Sequence, residues 1–132
     1  MKVALLQYPI AWADKETNLR HAEERIAALA GKADVAVLPE MFATGFCTDH
    51  PELAETMDGE IIRRLQAAAD QSGVAIVSSF ICLPDNRYPM SDIRYPIPDN
   101  RYPIEIQDKR HLYAHGGEDL FFRPAEKRCI FE

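Results

Sequence analysis

Three short apolar runs, Lys2 to Tyr8, Val35 to Leu38 and Val74 to Ile81, are separated by two longer stretches whose apolar residues recur at helical spacing, and that alternation leaves few folds open. Runs with so little polar interruption have the pattern of strands covered on both faces. Between the first two, Leu19, Ala22, Ile26 and Leu29 recur every three or four residues, with Glu23, Glu24 and Arg25 on the opposite side. The spacing predicts an amphipathic helix, opened by Asp14 or Thr17 as N-cap and closed at Gly31. Ile61, Leu65 and Ala68 or Ala69 repeat the pattern up to Gly73, with Asp58 as the expected cap. The order is β-α-β-α-β, for which a parallel sheet with right-handed crossovers is the economical topology. Several α/β folds share that order, and it says nothing of chemistry.

The texture changes at residue 84. Residues 84 to 104 read as three tandem heptads, Pro-Asp-Asn-Arg-Tyr-Pro-Met, Ser-Asp-Ile-Arg-Tyr-Pro-Ile and Pro-Asp-Asn-Arg-Tyr-Pro-Ile, which hold five of the nine prolines of the chain. A heptad period often marks a coiled coil, but a proline in every unit removes an N–H and clashes with the preceding turn, so a continuous helix is excluded. A central strand is excluded for the same missing donor, which leaves an edge strand, turns or extended chain. Segment duplication or a synthetic origin explains the repeat; the lesser alternative is a selected binding stripe of Arg87, Arg94 and Arg101 with Tyr88, Tyr95 and Tyr102.

With 132 residues, 47% of them hydrophobic, the chain suits a single domain with a core. Its 15 basic and 21 acidic residues give a net charge of -6 with no concentrated basic stripe, which argues against nucleic acid as a partner. The only unbroken apolar run near the start is Val3 to Leu6, too short for a signal peptide or a membrane span, so a cytoplasmic protein without a membrane partner is expected. Cys47, Cys82 and Cys129 are odd in number and form no CxxC pair, which fits reduced thiols better than disulfides or zinc ligands.

Four places could carry chemistry. Glu40 follows Val37-Leu38-Pro39, an apolar run stopped by a residue with no N–H to donate, and so stands at the end of a parallel strand, where ligands bind in open α/β sheets. Beside Met41, Phe42 and Phe46 it should be partly desolvated, with its pKa raised toward that of a usable proton acceptor; the alternative is a cap for the turn that Gly45 permits. Lys109 lies in Asp-Lys-Arg, ordinarily a solvated surface. Glu118 follows Gly116-Gly117, and helix or loop surface is its ordinary setting. His111 and His115, four apart, could flank a metal from one helical turn, but no third ligand is evident.

Taken together, Val37 to Phe46, Asp108-Lys109-Arg110-His111-Leu112 and Gly116-Gly117-Glu118 resemble the nitrilase, or carbon-nitrogen hydrolase, superfamily, most closely its ω-amidase-like branch. The resemblance covers nearly all of the chain except the repeat, and about the N-terminal half of a family domain. It implies an α/β fold, the αββα sandwich of two sheets, here in its N-terminal half. It also implies hydrolysis of a small linear amide without a cofactor. In that scheme Glu40 is the base, Lys109 stabilises the oxyanion of a tetrahedral intermediate, and Glu118 keeps the lysine charged and oriented. The family's third catalytic group is a cysteine that attacks the amide carbon. It belongs to a segment downstream of the Gly-Glu motif that has no match here: Cys129, in Glu-Lys-Arg-Cys-Ile-Phe-Glu, lacks the aromatic-Asp sequence that follows it in the family. The isolated chain is therefore expected to be inactive. Half a sandwich should also leave one sheet face uncovered and favour a homo-oligomer.

Overall fold

The computed structural model describes residues 1–83, Lys109, residues 111–121 and Pro124; the heptad repeat and Cys129 lie outside the described residues. Strands β1 (Val3–Leu5), β2 (Val35–Val37) and β3 (Ala75–Val77) form a parallel sheet in the order β1-β2-β3, connected by helices α1 (Lys15–Ala27) and α2 (Glu60–Ser72). Val3, Val35 and Ala75 lie side by side across the sheet, as do Leu5, Val37 and Val77. The alternation of runs thus yields the expected order. Each strand is shorter than its apolar run, although ladder-like bonds extend slightly further, from Leu6 N–H to the Val37 carbonyl and from Leu38 N–H to the Val77 carbonyl, both 2.9 Å. Pro39, with no N–H, follows the last of them.

Leu19, Ala22 and Ile26 of α1 meet Ile61 and Leu65 of α2 in one core that also takes in Ala36 and Leu38 from the central strand and its exit, with Phe42, Ala43 and Val74. The opposite face of the sheet is exposed at its two edge strands, β1 and β3, while Val35 and Val37 of the central strand are half-buried there. Val3, Leu5 and Val77 are 50%, 77% and 54% exposed. Cover on both faces, the usual reading of such runs, is therefore not met at these positions, whereas the uncovered sheet face that was also expected is found. An unbroken apolar run states that both faces would be better out of water; it does not state that these residues supply both covers.

Helix ends show where local chemistry was read well and where it was not. Asp14 caps α1, its carboxylate accepting from Thr17 N–H at 3.1 Å. The helix then stops at Ala27, with Ala28 as C-cap, and Gly31 (φ +69°) falls in the turns that follow rather than at the helix end. In α2 the N-cap is Gly59, not Asp58, and a carboxylate from upstream does the capping: Glu55 Oε2 accepts from Ile61 N–H at 2.8 Å. Glu55 also pairs with Lys15 of α1. Gly73, in the left-handed region at φ +70°, closes α2 as expected, its N–H reaching the Ala69 carbonyl at 2.9 Å. Outside the core, Arg64 of α2 grips Glu23 of α1 with two parallel bonds of 2.6 and 2.7 Å and also reaches Glu16, a planar fork matched to a carboxylate. No helix among the described residues is long and apolar enough to cross a membrane.

Candidate active site

The chain leaves β2 through Leu38 and Pro39 and turns sharply at Glu40 and Met41. Met41 has φ +48°, a left-handed conformation that residues other than glycine adopt only rarely. Its carbonyl accepts from Thr44 N–H at 3.1 Å and Gly45 N–H at 2.8 Å, and its own N–H donates to the Ser79 hydroxyl at 3.0 Å. Gly45 sits at φ +76°, and a side chain there would press on Trp12. The turn is further held from beneath by Asn18 of α1, which is fully buried: its amide accepts from Ala11 N–H and donates to the Ala11 and Ala43 carbonyls, at 2.7 to 2.9 Å. Ala13 N–H adds a bond of 2.8 Å to the Thr44 carbonyl. The Glu40 turn is thus tied to the loop before α1 and to the exit of β3.

On this rigid base, three residues from distant parts of the sequence converge. Lys109 Nζ lies 2.5 Å from Glu40 Oε1 and 2.9 Å from Glu118 Oε1. Glu118 opens a single helical turn, Glu118–Phe121, after the 3₁₀ turn Ala114–Gly116, and its second oxygen accepts from Tyr113 N–H at 2.5 Å. The two carboxylates differ in setting. Glu118 is completely buried, whereas the Glu40 side chain is 55% exposed and that of Lys109 41%. Phe46 and Tyr113 meet edge to face beside the lysine, ring centroids 6.2 Å apart, with Lys109 Nζ 6.0 Å from the Phe46 centroid.

Electrostatics follow from this geometry. Burial by itself would raise the Glu118 carboxyl, but the Tyr113 N–H and the Lys109 ammonium outweigh it and hold the group below the usual carboxylate range. Lys109 is held above the ordinary lysine value, chiefly by its hydrogen bond to Glu40, with Glu118 adding to it against partial desolvation. The result is an ammonium fixed between one sealed carboxylate and one that faces solvent. Such an arrangement can present a positive charge to a developing oxyanion while the exposed carboxylate exchanges a proton with a bound molecule.

The structure thus brings Glu40, Lys109 and Glu118 together. It defines their settings: the Glu40 side chain stays 55% exposed while its neighbours Met41 and Phe42 are buried, and Glu118 is buried rather than on a helix or loop surface. His111 lies in a bend and His115 in the 3₁₀ turn, so they do not share a helical turn. Cys47 is buried, its thiol against the Thr44 carbonyl at 3.0 Å and pushed up by burial, and Cys82 is exposed. Asn18 and Ser79 escaped the reading of the sequence. Asn18 had a signal, a polar residue four positions before Ala22 on the apolar stripe of α1; Ser79 had none, since its partner is 38 residues away.

Comparison with known proteins bears on the family of the chain. Residues 2–128 match the family model of the carbon-nitrogen hydrolases. The chain is 30% identical over its whole length to the omega-amidase YafV of Escherichia coli K12 and 33% identical to that of Yersinia enterocolitica, in each case spanning 50% of the relative. A 2-oxoglutaramate amidase of Bacillus subtilis is 27% identical over 98% of the chain, again over 50% of its own length. The crystal structure of XC1258 from Xanthomonas campestris, a CN-hydrolase superfamily protein, superposes with a TM-score of 0.82 at 29% identity, over 99% of this chain and 48% of that one. The chain therefore spans about half the length of the relatives it matches, and it belongs to the carbon-nitrogen hydrolase family.

Proposed function

We propose that this chain carries the base and the oxyanion-stabilising part of an amidase site acting on small linear amides of the kind named by its 2-oxoglutaramate amidase relative. The observation that carries the proposal is the single ammonium of Lys109 held between Glu40 and Glu118. In the reaction, Glu40 takes the proton of the attacking group and later returns one to the departing nitrogen. Lys109, kept charged by Glu118, faces the oxygen that becomes negative as the amide carbon turns tetrahedral. Attack requires a nucleophile within about 3 Å of the base. Cys47 is buried against the Thr44 carbonyl with its thiol form favoured, which disqualifies it, and neither Cys82 nor Cys129 lies in a motif of the family's nucleophile. The isolated chain should therefore bind and polarise an amide without turning it over.

The test has two arms. Isolated chain should release no ammonia from 2-oxoglutaramate. Fused to the portion of the Escherichia coli relative that it does not match, it should do so, and Glu40→Gln should then lower the rate about 10²- to 10⁴-fold, the usual weight of a general base. A fusion whose turnover is indifferent to Glu40→Gln would remove Glu40 from the mechanism. The uncovered sheet face favours a second reading, a non-catalytic chain that folds and self-associates; catalysis by the fusion would reject it.

A further inference from the structure

The bonds between β2 and β3 run out at the point where Glu40 must be placed. Leu38 N–H is the last backbone donor from this side, to the Val77 carbonyl, and in a regular parallel ladder the next bond would leave residue 40 two positions further on. Pro39 and the left-handed Met41 break that rhythm, and the donor that reaches across is Met41 N–H, one residue late. It finds a side chain in place of a carbonyl, the hydroxyl of Ser79, two residues beyond the end of β3. The other bonds on Met41, from Thr44 and Gly45, belong to the same turn and would move with it. Ser79 is different, because it fastens the peptide next to Glu40 to a neighbouring strand exit. A left-handed non-glycine residue persists only where its surroundings over-determine it.

We propose that Ser79 is a positioning residue for Glu40: by holding Met41 N–H it fixes the direction from which the Glu40 carboxylate meets Lys109. The inference rests on the reading of Glu40 as the base, and it adds a residue from the β3 exit to a site otherwise built from Glu40 at the β2 exit with Lys109 and Glu118.

Ser79→Thr keeps an acceptor in place, and Ser79→Val has the same shape without one. In the 132-residue chain, the Thr variant should leave Met41 amide exchange and the acylation rate of Lys109 by a small amine-reactive ester near their original values. The Val variant should speed Met41 exchange about tenfold, the factor of one typical hydrogen bond. It should also raise Lys109 acylation about two- to fivefold, the measure of a loosened exposed ion pair. If Ser79→Val does not fold, Ser79→Ala removes the hydroxyl without added bulk and is held to the same expectation. Faster Met41 exchange with unchanged Lys109 reactivity would show that the bond exists but does not place Glu40, and unchanged exchange would show that it does not hold the turn; either result overturns the proposal. Neither readout uses turnover, so a failure of the amidase reading and a failure of this one are told apart.

Discussion

A carboxylate sealed from water stays charged only if its lone pairs are met, and Glu118 meets them with one backbone N–H and one ammonium. The consequence for pH runs in two directions. Glu118 is held below its unfolded value of about 4.3, so its contribution to stability is present above that pH and is lost as pH falls through the lower folded value. Lys109 is held above its unfolded value of about 10.4, so its contribution is present below that pH and is lost as pH rises through the higher folded value. Lys109→Met should abolish the alkaline loss and move the acid loss to higher pH. It should also cost about 1–2 kcal/mol at neutral pH, less than a fully buried pair because the lysine is 41% exposed. Carbon-13 titration of the Glu118 carboxyl in the variant checks this, and an unmoved titration would mean that Tyr113 N–H alone sets its charge. At this scale the sequence was a good guide to which residues meet and a poor one to their surroundings. Glu40, Lys109 and Glu118 stand out by their motifs, whereas exposure depends on what the rest of the chain brings alongside, which is why the exposed residue is Glu40 and the buried one Glu118.

Helices α1 and α2 were legible through their apolar spacing, and their boundaries only in part. Gly73 marks an end because a left-handed φ favours glycine there whatever packs nearby. The start of α2 is another matter: the sequence offers Asp58 one residue before Gly59, yet the capping carboxylate comes from Glu55, which pairs with α1 as well. Local pattern cannot report a cap whose position depends on another helix. Gly59 is the tighter of the two glycines, since a Cβ there would lie 2.5 Å from Glu55 Oε2 and 2.8 Å from the Thr56 carbonyl, while one at Gly73 would meet nothing within 4 Å. Gly59→Ala should therefore displace Glu55 and destabilise the fold by about 2 kcal/mol or more, combining overpacking with loss of a cap. Gly73→Ala should cost about 1 kcal/mol, from its left-handed backbone alone. Urea melts of both variants decide the order, and a harmless Gly59→Ala would show that Glu55 does not hold the start of α2.

For the molecule as a whole, the parallel sheet with helices was legible in the apolar runs, whereas the one-sidedness of its cover was expected from the family resemblance and not from those runs, which by themselves read as covered on both faces. Both helices share the core on one face, and Val3, Leu5 and Val77 stand exposed on the other. We propose that two copies meet through this face, most simply about a two-fold axis that sets equivalent surfaces together. Light scattering over a dilution series should show dimers that dissociate on dilution, and Leu5→Lys should shift the chain to monomer by placing a charge in the contact. Monomer at every concentration would reject the contact. The exposed face also sets how such an association responds to temperature. Burying aliphatic side chains that form few hydrogen bonds is driven near 25 °C by entropy and carries a negative heat-capacity change, so the contact should loosen as the solution is cooled. Titration calorimetry of dimer dissociation at several temperatures would then give an enthalpy that rises steeply with warming, while a flat enthalpy would assign the contact to polar groups elsewhere on the surface.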